Sequence, residues 1–423
     1  MKRPLMLLIM LIMIVMLAGQ VYSESEITTS GEVRIRCEFN NNTDKSFNKD
    51  DATVHQTLMR TRFNISAKIN DNTSAFLQLQ DSRRLGEYKS GNIGDNGDVY
   101  LHQGYFAVKE LWKNGLGIKA GRFEVNLGNQ RVFGAVGWHN VGRVWDGAQL
   151  ICNFENSDFN GYWLRPRDDF DATGNTDFDI FGLTANLKAM HLELFGFLET
   201  DANRIDSTIV VDTTTQDFDD LNRINLGLYY WRDYKQFDFS LNLAYQMGNQ
   251  HVWADDGLGG VNSVEEDIAA YMVTFEAGYT FEGDMKPRLA AGIDLSSGDD
   301  DLTDNKCKTY KNSYYTGHKF RGYMDYFLAS EDAGLMDIMV RGKINPIEGW
   351  TIKGDFHIFS SAVERNVAGD KELGNEFDLT VSTSKISGMK CAAGFSMFMP
   401  DDKWQISDAE SPIWLWMQGT VSF

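Results

Sequence analysis

No stretch of this 423-residue chain beyond its N-terminus approaches the ~18 continuous apolar residues that mark a membrane-crossing helix. Proline is scarce, 6 residues against 39 glycines, so long segments are free to pair as strands and turns fall to Gly, Asn and Asp. The four cysteines (Cys37, Cys152, Cys307 and Cys391) are far apart and form no CxxC pair, which gives neither a metal site nor a disulfide framework. No GxGxxG or Walker pattern follows a strand signal, so the common nucleotide-binding classes drop out. No linker or composition break divides the mature chain, which reads as a single domain. Cations are the minority charge. Lys and Arg number 40 against 60 Asp and Glu, and the net charge of −20 argues against a nucleic-acid partner and, taken whole, against an anion-binding protein.

What is present points to export and to strands. Met1-Lys2-Arg3-Pro4 precedes an apolar run from Leu5 to Leu17, too short to cross a bilayer core of ~30 Å and followed by small residues. That pattern predicts a secretory signal peptide over residues 1–23 and a mature domain over 24–423. Aromatics are 13% and mean hydropathy is −0.34, the profile of a barrel in which only alternate residues meet lipid. Phe237, Phe239, Leu241, Leu243 and Tyr245 alternate with Asp238, Ser240, Asn242, Ala244 and Gln246, and Leu289–Ser296, Trp350–Ile358 and Glu376–Ser382 repeat the pattern. Period two over ~10 residues is the signature of a tilted transmembrane strand. Strands are expected to start near Gly31, Gln56, Thr73, Leu101, Gly115, Val144, Phe159, Phe178, His191, Arg223, Phe237, Ile268, Pro287, Gly334, Trp350, Phe377, Gly388 and Pro412, with Phe320–Ala329 inside a long loop. The terminal segment Ile413–Phe423 ends on phenylalanine and resembles the C-terminal signature of bacterial outer-membrane barrels. The expected fold is all-β: a membrane-spanning antiparallel β-barrel of about 18 strands in the outer membrane, enclosing an aqueous lumen rather than a packed core.

Charge is distributed by face. Between two strand signals lies Gly121–Gly147, rich in glycine and carrying Arg122, Arg131 and Arg143, which reads as a loop folded against the lumen wall. With the apolar face of each strand turned to lipid, parity sends Arg34, Arg36, Arg60, Arg62, Arg84, Arg143, Arg165, Arg167, Arg223, Arg288, Arg341, Lys343 and Lys353 inward, and leaves Arg122 ambiguous. A charge on the lipid face at mid-membrane costs about 2–4 kcal/mol. Acids gather instead in loops, as at Asp168-Asp169, Asp217–Asp220, Asp299–Asp301 and Asp401-Asp402, although Glu38, Asp238, Asp294, Asp337, Asp355, Glu376 and Asp378 face in. The expected pore-lining, anion-binding set is Arg60, Arg62, Arg84, Arg122, Arg131, Arg143, Asp146, Arg165, Arg167, Arg288 and Arg341.

Several segments in serial order resemble the alginate-export family of outer-membrane barrels: Arg60-Thr61-Arg62, LQLQDSRR (Leu77 to Arg84), LHQGYFAV (Leu101 to Val108), GRFEVNLGNQR (Gly121 to Arg131), GRVWDG (Gly142 to Gly147), AYQMGN (Ala244 to Asn249), AYMVTFEAGYTF (Ala270 to Phe281), PRLAAGIDLSSGDDD (Pro287 to Asp301), GHKFRGYMDYF (Gly317 to Phe327) and LGNEFDL (Leu373 to Leu379). The resemblance implies an 18-stranded monomeric barrel whose arginine-rich constriction passes an anionic uronate polymer. One departure is Gly121-Arg122-Phe123, where the family reads GRQ. The expected function is a channel for anionic solutes such as an alginate-like acidic polysaccharide, the alternative being a general or substrate-specific porin for small anions. A barrel hydrolase is the third class, but His139 has no serine between Ser90 and Ser157 and His318 has no nucleophile pattern, so the chain is read as no enzyme and no catalytic residue is assigned. No cofactor is expected; the one candidate is Ca2+ at acidic loops such as Asp299–Asp301, which lack EF-hand spacing. The expected partners are outer-membrane lipid and lipopolysaccharide, the assembly machinery through Phe423, and an anionic solute or polymer.

Overall fold

The computed structural model describes residues 25–41, 53–86, 99–112, 115–168, 177–201, 221–255, 261–329, 332–364, 371–401 and 410–423. The expected signal peptide lies outside the described residues. The strands are β1 (Glu26–Asn40), β2 (Val54–Lys68), β3 (Thr73–Arg84), β4 (Tyr100–Val108), β5 (Leu116–Phe123), β6 (Trp145–Asn153), β7 (Ser157–Arg167), β8 (Phe178–Leu187), β9 (Leu192–Asp201), β10 (Leu221–Tyr234), β11 (Phe237–Asp255), β12 (Val261–Thr280), β13 (Arg288–Ser296), β14 (Lys306–Cys307), β15 (Leu335–Ile344), β16 (Trp350–Ser360), β17 (Glu372–Thr383), β18 (Met389–Pro400) and β19 (Ile413–Ser422). β14 is a two-residue bridge on β12 within the β13–β15 connection, and β13 pairs directly with β15. The remaining 18 strands form one antiparallel sheet that closes on itself, because β1 pairs with both β2 and β19.

Closure leaves no free edge, which is what lets strands cross hydrocarbon. The seam is completed by the last residue: Gly31 N–H donates to the Phe423 carbonyl at 2.7 Å and Phe423 N–H donates back at 3.1 Å. The Phe423 ring lies over Gly31, where a Cβ would come within 2.5 Å of the ring, so only glycine leaves room for it. The start of β1, the end of β19 and the short connections, such as the two-residue Lys235-Gln236 turn, share one end of the barrel, and the strand ends joined by long connections share the other. Short turns are periplasmic and long loops extracellular in such barrels.

Residues directly opposite in antiparallel strands share a face, so register carries parity around the whole wall. The outer face bears Phe106, Phe181, Leu183 and Met417, between 47% and 72% exposed, as a lipid-facing belt requires. The inner face departs from the aqueous lumen expected of it. Residues 124–144 (the first inserted loop) and 297–329 (the second) turn into the barrel and pack there. Phe123, Phe133, Leu164, Ile180 and Phe197 form a buried cluster on the β5–β9 side, and Phe327, Phe359, Phe398 and Trp416 another on the β16–β19 side. At the level of these loops the lumen therefore has a core of its own.

That core reverses three sequence assignments. Tyr162 and Leu164 face inward onto the first loop rather than outward to lipid, which turns Arg165 to the outer face. Arg165 is opposite Asp146, and Asp146 opposite Arg122, so all three share that face. Arg122 grips Asp146 through two bonds of 2.7 and 2.6 Å, and Arg165 pairs with Asp179 at 2.9 Å. These groups form a charged rim at the loop end of the lipid belt and line no pore. A register shift between Leu164 and Arg167 returns Arg167 to the inside, where it pairs with Asp201.

Candidate permeation site

The first inserted loop is bound to the wall through its carbonyls. β1 and β2 set Arg34 opposite Arg60, and both donate to the same two acceptors: Arg34 to Gly137 O (3.0 Å) and His139 O (3.2 Å), Arg60 to the same atoms at 3.0 and 3.2 Å. Arg36 donates to Trp138 O at 2.8 Å and lies 4.0 Å over the Trp138 ring. Gln80 and Ser82 donate to Val141 O and Asn140 O at 2.7 and 2.9 Å, and the Asn140 amide donates to Met59 O at 3.1 Å. A guanidinium suits this task because it presents several rigidly spaced donors and stays charged. At the loop's entry Arg62 meets Glu124 at 3.4 Å and His102 Nε2 at 3.0 Å. Burial would raise the Glu124 carboxyl, but His102 and Arg62 hold it below the usual carboxylate value.

The second inserted loop is held with the opposite polarity. Backbone N–H groups of Tyr323 and Met324 donate to Asp378 (3.3 Å) and Glu376 (2.8 Å). Gly322, at φ 74°, brings the chain so close that a Cβ would lie 2.5 Å from the Glu376 carboxylate. Buried Arg321 and Arg131 converge on Asp294 of β13, and Arg321 also donates to Ser296 at 2.6 Å. The loops join each other: Gly134 N–H donates to Tyr314 O at 2.8 Å and Thr316 N–H to Gln130 O at 3.0 Å. His318 stacks on Trp138 (4.6 Å) and Tyr323 (5.0 Å), and its Nδ1 meets Asp325 at 2.9 Å.

Most of the expected site is therefore inward but engaged. Arg60 pairs with Glu32, Arg62 with Glu124, Arg131 with Asp294, Arg167 with Asp201, Arg288 with Asp238 and Glu276, and Arg341 with Glu276 at 3.1 Å. Arg84 faces in opposite Leu58. Arg143 differs. It belongs to the loop rather than to β6, and among the described residues its guanidinium donates only to carbonyls, Gly134 O (3.4 Å) and Tyr315 O (3.2 Å). Burial lowers its pKa, and the titratable neighbours acting on it are the phenols Tyr314 and Tyr315. It lines a cleft of about 440 Å³ between the two loops, with Lys311, His139, His318, Trp138 and one carboxylate, Asp325.

Sequence reading missed Lys311 and Trp138 and weighed His318 only as a catalytic candidate, because nothing local marks a residue of one loop as a neighbour of another loop more than 150 residues away. The acidic turn weighed for Ca2+ holds a lysine: Lys308 Nζ lies 2.6 Å from Asp300, 3.2 Å from Asp304 and 4.0 Å from Asp299. Among the described residues no cluster of three or more His, Cys, Asp or Glu is arranged to hold a metal.

The sequence matches the Alginate export family over residues 25–402. No curated protein matches it. Among solved structures the fold is similar to Pseudomonas aeruginosa OccK9 (OpdG), with TM-score 0.60, 12% identity and coverage of 94% of this chain and 98% of that one. A BenF-like porin from Pseudomonas fluorescens Pf-5 superposes with TM-score 0.58 at 13% identity over 95% and 100% of the two chains. Pseudomonas aeruginosa OccK2 (OpdF), solved in complex with glucuronate, gives 0.57 at 12% identity over 94% and 98%. The match over residues 25–402, on a closed 18-strand barrel, places this protein in the alginate-export family and in the bacterial outer membrane, where it is a channel.

Proposed function

We propose that the channel passes anionic solutes and that carboxylates are the class it selects, with an alginate-like acidic polysaccharide as the leading substrate. The observation that carries this reading is Arg143: a half-buried guanidinium in a solvent-accessible cleft, bonded to neutral carbonyls and paired, among the described residues, with no carboxylate. Such a group can receive a carboxylate through two parallel bonds. The carbonyls compete for its donors, which keeps the solute's grip weak enough for release. The glucuronate bound to OccK2 is a ligand of this chemical class.

The bonds between the two loops favour a second reading. They leave a cleft of about 440 Å³, the scale of a small solute, so a porin for small anions fits if the loops stay joined during transport. In either reading the chain carries no catalytic role and works as a monomer.

Liposome swelling tests the proposal. Proteoliposomes in isotonic galacturonate, galactose or glucosamine hydrochloride compare three sugars of similar size and different charge. Galacturonate entry is expected to be fastest and glucosamine slowest, and glucosamine entering as fast as galacturonate sinks the anionic reading. Entry of an oligogalacturonate favours the polymer; entry of the monomer alone favours the small-anion porin.

A further inference from the structure

Among the described residues, the periplasmic half of the wall carries cations that make no hydrogen bond or ion pair with either inserted loop. Register places Arg288 of β13 opposite Lys343 of β15, and Lys343 opposite Lys353 of β16, so three cations stand side by side on the inner face. Adjacent strands are ~4.8 Å apart, and like charges directly opposite are destabilising. Arg288 is relieved by Asp238 and Glu276. Lys343 and Lys353 are both exposed to the lumen, and among the described residues neither makes an ion pair. One row further in, Arg341 lies opposite Asp355, which is itself opposite Asp378. From the second inserted loop the Lys319 ammonium donates to the Asn129 carbonyl at 3.1 Å. Burial lowers its pKa, and the charges of Arg131, Arg341 and Lys353 lower it further, so it stands in a net positive field.

Fixed charges at the two ends of the barrel differ. The periplasmic turns hold six acids (Asp71, Glu110, Glu155, Glu282, Asp284, Glu348) and six lysines (Lys109, Lys113, Lys188, Lys235, Lys286, Lys385). The extracellular connection 168–177 holds four aspartates and no cation, and 202–220 five aspartates and one arginine. By sequence the periplasmic connections balance in charge while these two extracellular ones are acidic, which favours an anion reaching the lysine row from the periplasm.

We propose that Lys343, Lys353 and Lys319 form a carboxylate-binding station in the periplasmic half of the lumen, at which an anionic solute loads before it reaches the cleft between the inserted loops. The station rests on the anionic reading above and adds a location and a loading side to it. An anion between Lys343 and Lys353 relieves their mutual repulsion, adding to the relief that Asp355, on the same face of β16, gives Lys353.

The test is block of single-channel chloride current by trigalacturonate, added to one side of a planar bilayer at a time. Orientation is set by which side admits trypsin to the long extracellular loops. For the unaltered protein, block is expected at lower concentration from the periplasmic side. In the double variant Lys343→Gln with Lys353→Gln, the periplasmic blocking concentration is expected to rise about fivefold, the scale of two screened charges at ~5 Å in water, while heat-modifiability is unchanged. Arg122→Gln, on the outer face, is expected to leave block unchanged. Equal block in the double variant and the parent, with anion selectivity intact, overturns the station alone. A cation-selective parent channel overturns the anionic reading on which the station rests.

Discussion

Gly137 O and His139 O each accept a bond from both Arg34 and Arg60, and this duplication makes a quantitative prediction. Replacing Arg34 alone with Met leaves each carbonyl one donor and relieves the repulsion of an opposed like-charge pair, so the loss should be about 1–2 kcal/mol. Replacing both arginines leaves two part-buried carbonyls without their donors, each at about 1 kcal/mol beyond the lost bonds, the low end for an unsatisfied group. The coupling between the substitutions should therefore be ~2 kcal/mol, roughly a 30-fold excess over the product of the single effects. The first inserted loop is the element released, and single-channel recording reads its opening as the fraction of time in a higher-conductance level. Small increases in each single variant and a large one in the double variant are expected. Additive effects, or an unchanged conductance in the double variant, would refute the idea that these arginines hold the loop in place.

Other outcomes follow from particular contacts. Deleting Phe423 removes both main-chain bonds to Gly31 and should lower outer-membrane levels of the heat-modifiable form more than it alters the conductance of the protein that does assemble; Gly31→Val, which displaces the same ring, should reproduce the defect, and normal levels in both would contradict the seam. Trp138→Ala takes away a ring packed between Arg36 and His318 and should destabilise the joined loops by about 3–5 kcal/mol, read as faster proteolysis at the inserted loops with the barrel intact. Lys308→Ala should give the Asp299–Asp304 turn a calcium response, seen as a Ca2+-dependent thermal shift that the parent lacks; a parent that already responds through this turn would show that Lys308 does not fill it.

The barrel was legible because its signal is local. Period-two alternation located all eighteen barrel strands, with Thr73, Phe178, Phe237 and Trp350 matching observed starts, and Phe320–Ala329 does lie in a loop. Facing failed where a local rule met a non-local fact. Tyr162 and Leu164 look lipid-facing until the first inserted loop packs against them from inside, and with them went Arg165, Asp146 and Arg122. Counting inward arginines overstated free positive charge for the same reason: the partners of Arg131 and Arg341 lie on strands far along the chain, at Asp294 and Glu276. Arg143 does lie in the loop read between two strand signals, since β6 begins at Trp145, but strand parity says nothing about where a loop residue points.

The central claim is that the charges facing the lumen, and not the chain's net −20, set selectivity. The measurement that tests it most directly is the reversal potential of the purified protein in a planar bilayer under a KCl gradient, repeated at several ionic strengths because screening over ~8 Å at physiological salt separates wall charges from distant loops. Anion preference at high salt is predicted, reduced by Arg143→Gln and by Lys343→Gln with Lys353→Gln, and untouched by Arg122→Gln on the outer face. Cation preference at high salt, or an Arg122→Gln shift as large as that of Arg143→Gln, would contradict the account.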